Sequence, residues 1–174
     1  MSELVIIGAG PAGIEAAVTA SRFGIATTIV DEAAQAGGQV YRPLPEGFKP
    51  IDREKLGPDF ATGERLRASL AASAAVKAFG HRVWRLAPGN PDFTVEAVGP
   101  QGLAQWTPKA IIAATGAYER IVPFPGWTRP GVIGLAAATI MLKSQQVVPS
   151  GRVVVAGCGP LLAAVTVGIL KGGG

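Results

Sequence analysis

The hexapeptide Gly8-Ala9-Gly10-Pro11-Ala12-Gly13 follows the apolar run Leu4-Val5-Ile6-Ile7 and opens the periodic stretch Pro11 to Phe23. Three glycines at this spacing, between a strand and a helix, leave few folds open. Gly8 permits a tight turn, Gly10 lets the backbone approach a pyrophosphate, and Gly13 lets the helix lie close to the strand. The helix N-terminus offers free N–H groups and partial positive charge to an anion. Ile14, Ala17, Val18 and Ser21 share one helical face. Pro11 suits a first turn, where its missing N–H would have no partner, and Gly24 suits the C-terminal end. Thr27 to Asp31 is a second β-branched run, so the opening reads strand, glycine turn, helix, strand. Asp31 stands 23 residues after Gly8. There it can accept a hydrogen bond from a ribose hydroxyl. This fingerprint marks a dinucleotide site without choosing between NAD and FAD.

The remaining pattern extends an α/β, Rossmann-like reading. Glu32 to Phe60 is a long loop with little periodicity. Thr62 to Ala72 is helical with Thr62 as N-cap. Ala74 to Phe79 is read as a strand, although its alanines also permit a helix. Arg82 to Ala87, Phe93 to Val98 and Leu103 to Thr107 form a three-stranded meander, with turns at Pro88-Gly89-Asn90 and Pro100-Gln101-Gly102. Lys109 to Ala114 is a buried strand ending at Thr115-Gly116. Strands near 4–8, 27–31, 75–79 and 109–114 are expected to form one parallel sheet, with the meander on one face. Val122 to Pro130 reads as a linker and Ile133 to Gln146 as a helix. Val153 to Ala156 and Leu161 to Lys171 repeat the opening pattern of strand, glycine turn and helix. The expected division is 1–120 for a nucleotide-binding domain and 121–174 for a linker and the start of a second one.

Composition excludes several chemistries. Cys158 is the single cysteine, so an intramolecular disulfide, a CxxC redox pair and a cysteine zinc site are out. Cys158 is expected to be a small buried residue. His81 is the single histidine and is expected at the surface or in packing rather than as a base; no metal site is indicated. The net charge is +4, and nine of the sixteen Lys and Arg lie between Arg42 and Arg85 among five acids. That mixture describes a solvated surface and not a nucleic-acid stripe. Val153 to Leu170 is 18 residues without a charge, but Gly157-Cys158-Gly159-Pro160 interrupts it, which favours a buried strand and helix over a membrane span. No basic leader precedes Leu4, so a cytoplasmic protein is expected.

Three further stretches carry a family resemblance. They are Gly37-Gly38-Gln39-Val40-Tyr41-Arg42-Pro43, Ala114-Thr115-Gly116-Ala117-Tyr118-Glu119-Arg120, and Pro123-Phe124-Pro125-Gly126-Trp127 followed by Pro130-Gly131-Val132. With the first glycine motif, they resemble the FAD-dependent pyridine nucleotide-disulfide oxidoreductases. Within that group the whole chain is similar to the alpha (A) subunits of opine oxidases, hydrogen cyanide synthase and hydroxyproline or proline dehydrogenases. The resemblance implies FAD as cofactor, held by Gly8, Gly10, Pro11, Ala12, Gly13, Asp31, Glu32, Gly38, Gln39, Val83, Ala114, Thr115 and Gly116. It implies oxidation of an amine, opine or imino or amino acid, with electrons passed through the flavin, beside a flavoprotein beta subunit. The alternative is a non-catalytic dinucleotide-binding subunit that supports a catalytic partner. A disulfide reductase would need a cysteine pair that this chain lacks. The second glycine turn, Gly157-Cys158-Gly159-Pro160-Leu161-Leu162, has Leu162 at the third glycine position, and NAD(P) is not expected there. The resembling subunits are much longer. The chain is therefore expected to bind FAD weakly or not at all, and to self-associate, as a homo-oligomer, through its uncovered apolar segment.

Overall fold

The computed structural model describes residues 2–48 and 57–173. Strand β1 (Leu4–Ile7) leads through the glycine turn into helix α1 (Pro11–Arg22), and the chain returns as β2 (Thr27–Asp31). Helix α2 (Gly57–Ala72) and β3 (Val76–Phe79) follow. The meander is β4 (Arg82–Pro88), β5 (Phe93–Gly99) and β6 (Gly102–Trp106), and β7 (Ala110–Ala113) closes the series. The order of the parallel sheet is β3-β2-β1-β7, and β4-β5-β6 forms a separate antiparallel sheet. Leu4 pairs with Thr27 on one side and Ala110 on the other, so β1 lies centrally. These are the sheet and the meander that the sequence pattern implies.

The two faces of the parallel sheet bury different layers. Leu4, Ile6 and Ile29 face Ile14, Ala17 and Val18 of α1 and Leu70 of α2. Val5, Ile7 and Val30 face Val95 of the meander, with Val83 and Trp106 packed at the margin. Central parallel strands are covered on both sides, so β1 is apolar at every position rather than alternating. Ser21 is half-buried on the α1 face, and its hydroxyl has no hydrogen-bond partner among the described residues.

Several expectations need correction. Helix α2 begins at Gly57, five residues before Thr62. Thr62 is thus inside the helix, where its hydroxyl accepts from Arg65 Nη2 at 3.2 Å instead of capping. Residues 49–56 of the expected loop 32–60, which also fall in the charged cluster 42–85, lie outside the described residues, and 57–60 belong to α2. The helix expected over 133–146 is shorter: α3 (Leu135–Ile140) runs into a π-helical turn, Met141–Gln145, and Gln146 ends it in a left-handed conformation. Val153 to Ala156 forms no strand, because no described segment offers it a ladder of hydrogen bonds. Cys158, expected to be buried, is exposed. Without a sheet at 153–156, no packed layer covers the turn that carries it. Helix α4 (Pro160–Lys171) forms where the pattern places it.

The described residues divide into two compact units, 2–43 with 57–116, and 44–48 with 117–173. The first unit contains both sheets, α1 and α2. The second contains α3 and α4, and of its described side chains only Ser144, Val165 and Ile169 are buried.

Candidate dinucleotide site

The carboxyl ends of β1, β2 and β7 bring three glycine-bearing segments to the start of α1. Gly8 adopts φ +105°, and a Cβ there would strike the carbonyl of Ala114. A Cβ on Gly13 would strike the carbonyl of Gly8. Both glycines are therefore required by close backbone approach. The third segment crosses over them: a Cβ on Gly38 would come within 2.8 Å of the Gly10 Cα. Gly37 N–H donates to Ala9 O at 2.8 Å, and Ala114 N–H donates to Ile7 O at 2.8 Å. Gly38 against Gly10, and Ala114 with Thr115 against Gly8, thus converge on one point.

That point is the N-terminus of α1. Its N-cap is Gly10, no side chain caps it, no acid lies in its first turn, and Pro11 occupies its first position. The first-turn N–H groups, Ala12 and Gly13 included, have no intrahelical acceptor. Together with the helix dipole they make a place for an anion. An uncapped helix start with no acid in its first turn is what a pyrophosphate requires, so the residues present fit an adenine dinucleotide.

Asp31 has a structural role in the turn. One carboxylate oxygen accepts from Ala9 N–H at 2.5 Å and the other from Ala33 N–H at 2.7 Å. The side chain clasps the glycine turn to the end of β2. An ionised carboxylate has about four lone-pair sites, so acceptor capacity for a ribose hydroxyl is left. Glu32 points elsewhere and pairs with Arg82 at 2.9 Å, with both side chains mostly exposed. Such a pair contributes little to stability. His81 N–H donates to Asp31 O at 2.9 Å and Gly80 N–H to Ala33 O at 3.0 Å, which straps the start of β4 to the end of β2. Asp31 and Glu32 therefore adjoin His81 and Arg82, and the Val83 side chain packs against the meander-side core. His81 is a packing residue, as expected: its ring lies edge-on to Trp106, with centroids 5.9 Å apart, and against Gly99.

The Gly37 to Arg42 segment is itself clamped. Tyr41 N–H donates to Gly37 O at 3.1 Å, and Arg67 Nη1 donates to Tyr41 O at 2.7 Å. Burial pushes the Arg67 guanidinium below its ordinary pKa, with Glu64 opposing. Gln39 is exposed and accepts from Arg42 Nη2 at 3.1 Å. Neither Arg42 nor Arg67 was among the sequence-derived site residues. Arg42 stands in the Gly37 to Pro43 motif and had a sequence signal, a cation three residues after Gln39. Arg67 had none, since helical periodicity says nothing of a bond to a distant carbonyl.

The second glycine turn differs. A Cβ on Gly157 would lie 3.5 Å from Leu162 Cδ1, so the Leu162 side chain sits beside the turn, in contrast to the bare Gly13. At the opposite, amino ends of the first unit's strands is an open hollow of about 420 Å³ lined by Ser2, Thr27, Gln105 and Trp106 among others. No titratable side chain lines it. Among the described residues no cluster of three metal-ligating side chains occurs, and no helix is long and apolar enough to cross a membrane.

Comparison with known proteins agrees with this geometry. The chain is 41% identical over 165 residues to the A subunit of opine oxidase from Agrobacterium tumefaciens (strain Ach5), covering 92% of this chain and 33% of the relative. It is 37% identical over 170 residues to hydrogen cyanide synthase subunit HcnB of Pseudomonas protegens, covering 91% and 34%. The chain thus spans about a third of the length of these curated relatives. Among solved structures, L-proline dehydrogenase from P. horikoshii superposes with a TM-score of 0.67 over 82% of this chain and 28% of that one. At 23% identity that likeness concerns the fold. The profile of the pyridine nucleotide-disulphide oxidoreductases matches residues 2–165, and the chain belongs to that family.

Proposed function

We propose that this chain is the FAD-binding portion of a flavin-dependent oxidoreductase that oxidises an amine, opine or imino or amino acid. The observation that carries the reading is the meeting of Gly8 to Gly13, Gly38 and Ala114 to Thr115 at the uncapped start of α1. When bound, FAD supplies the redox chemistry. The chain's own residues bind and orient it. The N–H groups of the first turn of α1 receive the pyrophosphate. Asp31 accepts from the adenosine ribose while it holds the turn, and Val83 contacts the adenine through its backbone. Gly38, Gln39, Thr115 and Gly116 lie along the ribityl side.

The relatives are named as subunits, which supports a heteromeric enzyme in which a flavoprotein beta subunit works beside this one. Leu162 beside Gly157 supports a second turn that takes no NAD(P). Residues 1–120 and 121–174 are the domain division proposed. A second reading, a dinucleotide-binding subunit without chemistry of its own, draws support from the cradle being built almost wholly of backbone groups.

Absorbance and flavin fluorescence of the purified chain titrated with FAD test the proposal. Saturable quenching or a shifted flavin band supports a flavin site. Bleaching of that band by an imino acid or opine favours the enzymatic reading, and a bound flavin that no such donor bleaches favours the second. No interaction with FAD at millimolar concentration contradicts both.

A further inference from the structure

Among the described residues, Arg42 carries a donor that is left without an acceptor. Its Nη2 donates to Gln39 Oε1 at 3.1 Å, while its Nε is buried and has no hydrogen-bond partner. Among the described residues no carboxylate pairs with it. A buried guanidinium N–H without an acceptor is uncommon in a folded protein and marks the place of a missing partner. The placement is also fixed rather than accidental. Gly37 is bound to Ala9, Tyr41 to Gly37, and Arg67 to Tyr41, so the backbone leading into Arg42 is held at three points. The side chain folds back on Gln39, and the adjacent Gly38 abuts Gly10 at the start of α1. That helix start has no acidic side chain of its own to neutralise a cation.

We propose that Arg42 donates, through Nε and the guanidinium edge, to a phosphate oxygen of the bound dinucleotide, with Gln39 orienting it. The assignment rests on the FAD reading and deepens it: the α1 amides supply one side of an anion site and Arg42 supplies the charged other side. Arginine suits this task, because its planar donors match phosphate oxygens.

The test is an NMR titration of the isotopically labelled full chain with ADP, FAD and riboflavin, following the Arg42 Nε–H signal and the amides of Ala12 and Gly13. ADP and FAD should move all three signals, and riboflavin, which has no phosphate, should leave Arg42 unmoved. R42Q should weaken both phosphate-bearing ligands by about tenfold or more, the size of a lost charged hydrogen bond, and R42K should recover part of that loss. The unmodified chain alone tests the claim if R42Q does not fold. ADP moving Ala12 and Gly13 with Arg42 static, or R42Q binding ADP as tightly as the unmodified chain, overturns the assignment and leaves the FAD reading intact. Arg42 responding to proline or another amino-acid carboxylate, but not to ADP, also overturns it and turns the residue toward substrate. Arg42 responding to ADP while FAD binds nowhere upholds the phosphate contact and removes the FAD reading.

Discussion

Asp31 shows how one side chain can hold the frame of a candidate site. Its two bonds to Ala9 and Ala33 hold the glycine turn in shape. Asp31→Ala leaves both N–H groups without that acceptor, and should lower unfolding free energy by about 1–3 kcal/mol. It should also weaken any FAD binding. Urea denaturation checks the first effect, and an unchanged midpoint would show that the clasp is idle. Gly13→Ala should be worse tolerated than an alanine elsewhere on α1, because its Cβ meets the Gly8 carbonyl. Such forced overpacking costs about 1–3 kcal/mol, and more where backbone must move. A melting temperature equal to that of the unmodified protein would contradict the close approach. At this scale the site was largely legible. Spacing alone marked Gly8, Gly10, Gly13 and Asp31, since each answers a local steric or electrostatic need. What spacing could not show was that Asp31 spends two of its acceptor sites on the backbone, or that Arg42 ends beside Gln39. The first depends on β2 lying beside β1, and the second on the conformation of the 39–42 segment.

At the scale of elements, local rules worked where an element carries its own signal and failed where a distant partner decides. Strands β1 and β2 and helices α1 and α4 announced themselves by apolar periodicity and Gly-Pro punctuation. The meander was legible from its turns. Thr62 looked like a cap, but α2 extends five residues N-terminal of it. Helix α3 shows the reverse case. Its N-terminus is capped by Glu119, which accepts from Leu135 N–H at 2.7 Å and Ala136 N–H at 3.0 Å. A cap 16 residues upstream leaves no pattern at the helix itself. Glu119→Ala should cost roughly 0.5–2 kcal/mol locally, as loss of a cap does. Hydrogen exchange at Leu135 and Ala136 should quicken while the amides of β1 stay protected. Unchanged exchange at both would mean that the cap contributes nothing. Val153 to Ala156 fails as a strand for a related reason: β-branched composition favours extension, but a ladder needs a neighbour.

Across the whole molecule the two units differ in how much they bury. In the first, Val5, Ile6, Ile14, Ile29 and Val30 are completely enclosed. In the second, Val154, Leu161 and Leu170 are largely exposed, at 77%, 66% and 66%. Apolar surface of this kind favours association. Sedimentation should therefore show mass rising with concentration, and V154K with L161K should reduce it. A monomer at every concentration, with or without the changes, would contradict this. The first unit should respond to a dinucleotide whatever the second does, because all its proposed contacts lie within residues 8–116. The most direct measurement is therefore an amide NMR map of the chain titrated with FAD. Shifts concentrated at Gly8 to Gly13, Asp31, Gly38 and Thr115 to Gly116, with Gly157 to Leu162 silent, are the predicted result. Shifts centred on Gly157 to Leu162, or none at any glycine turn, would contradict it.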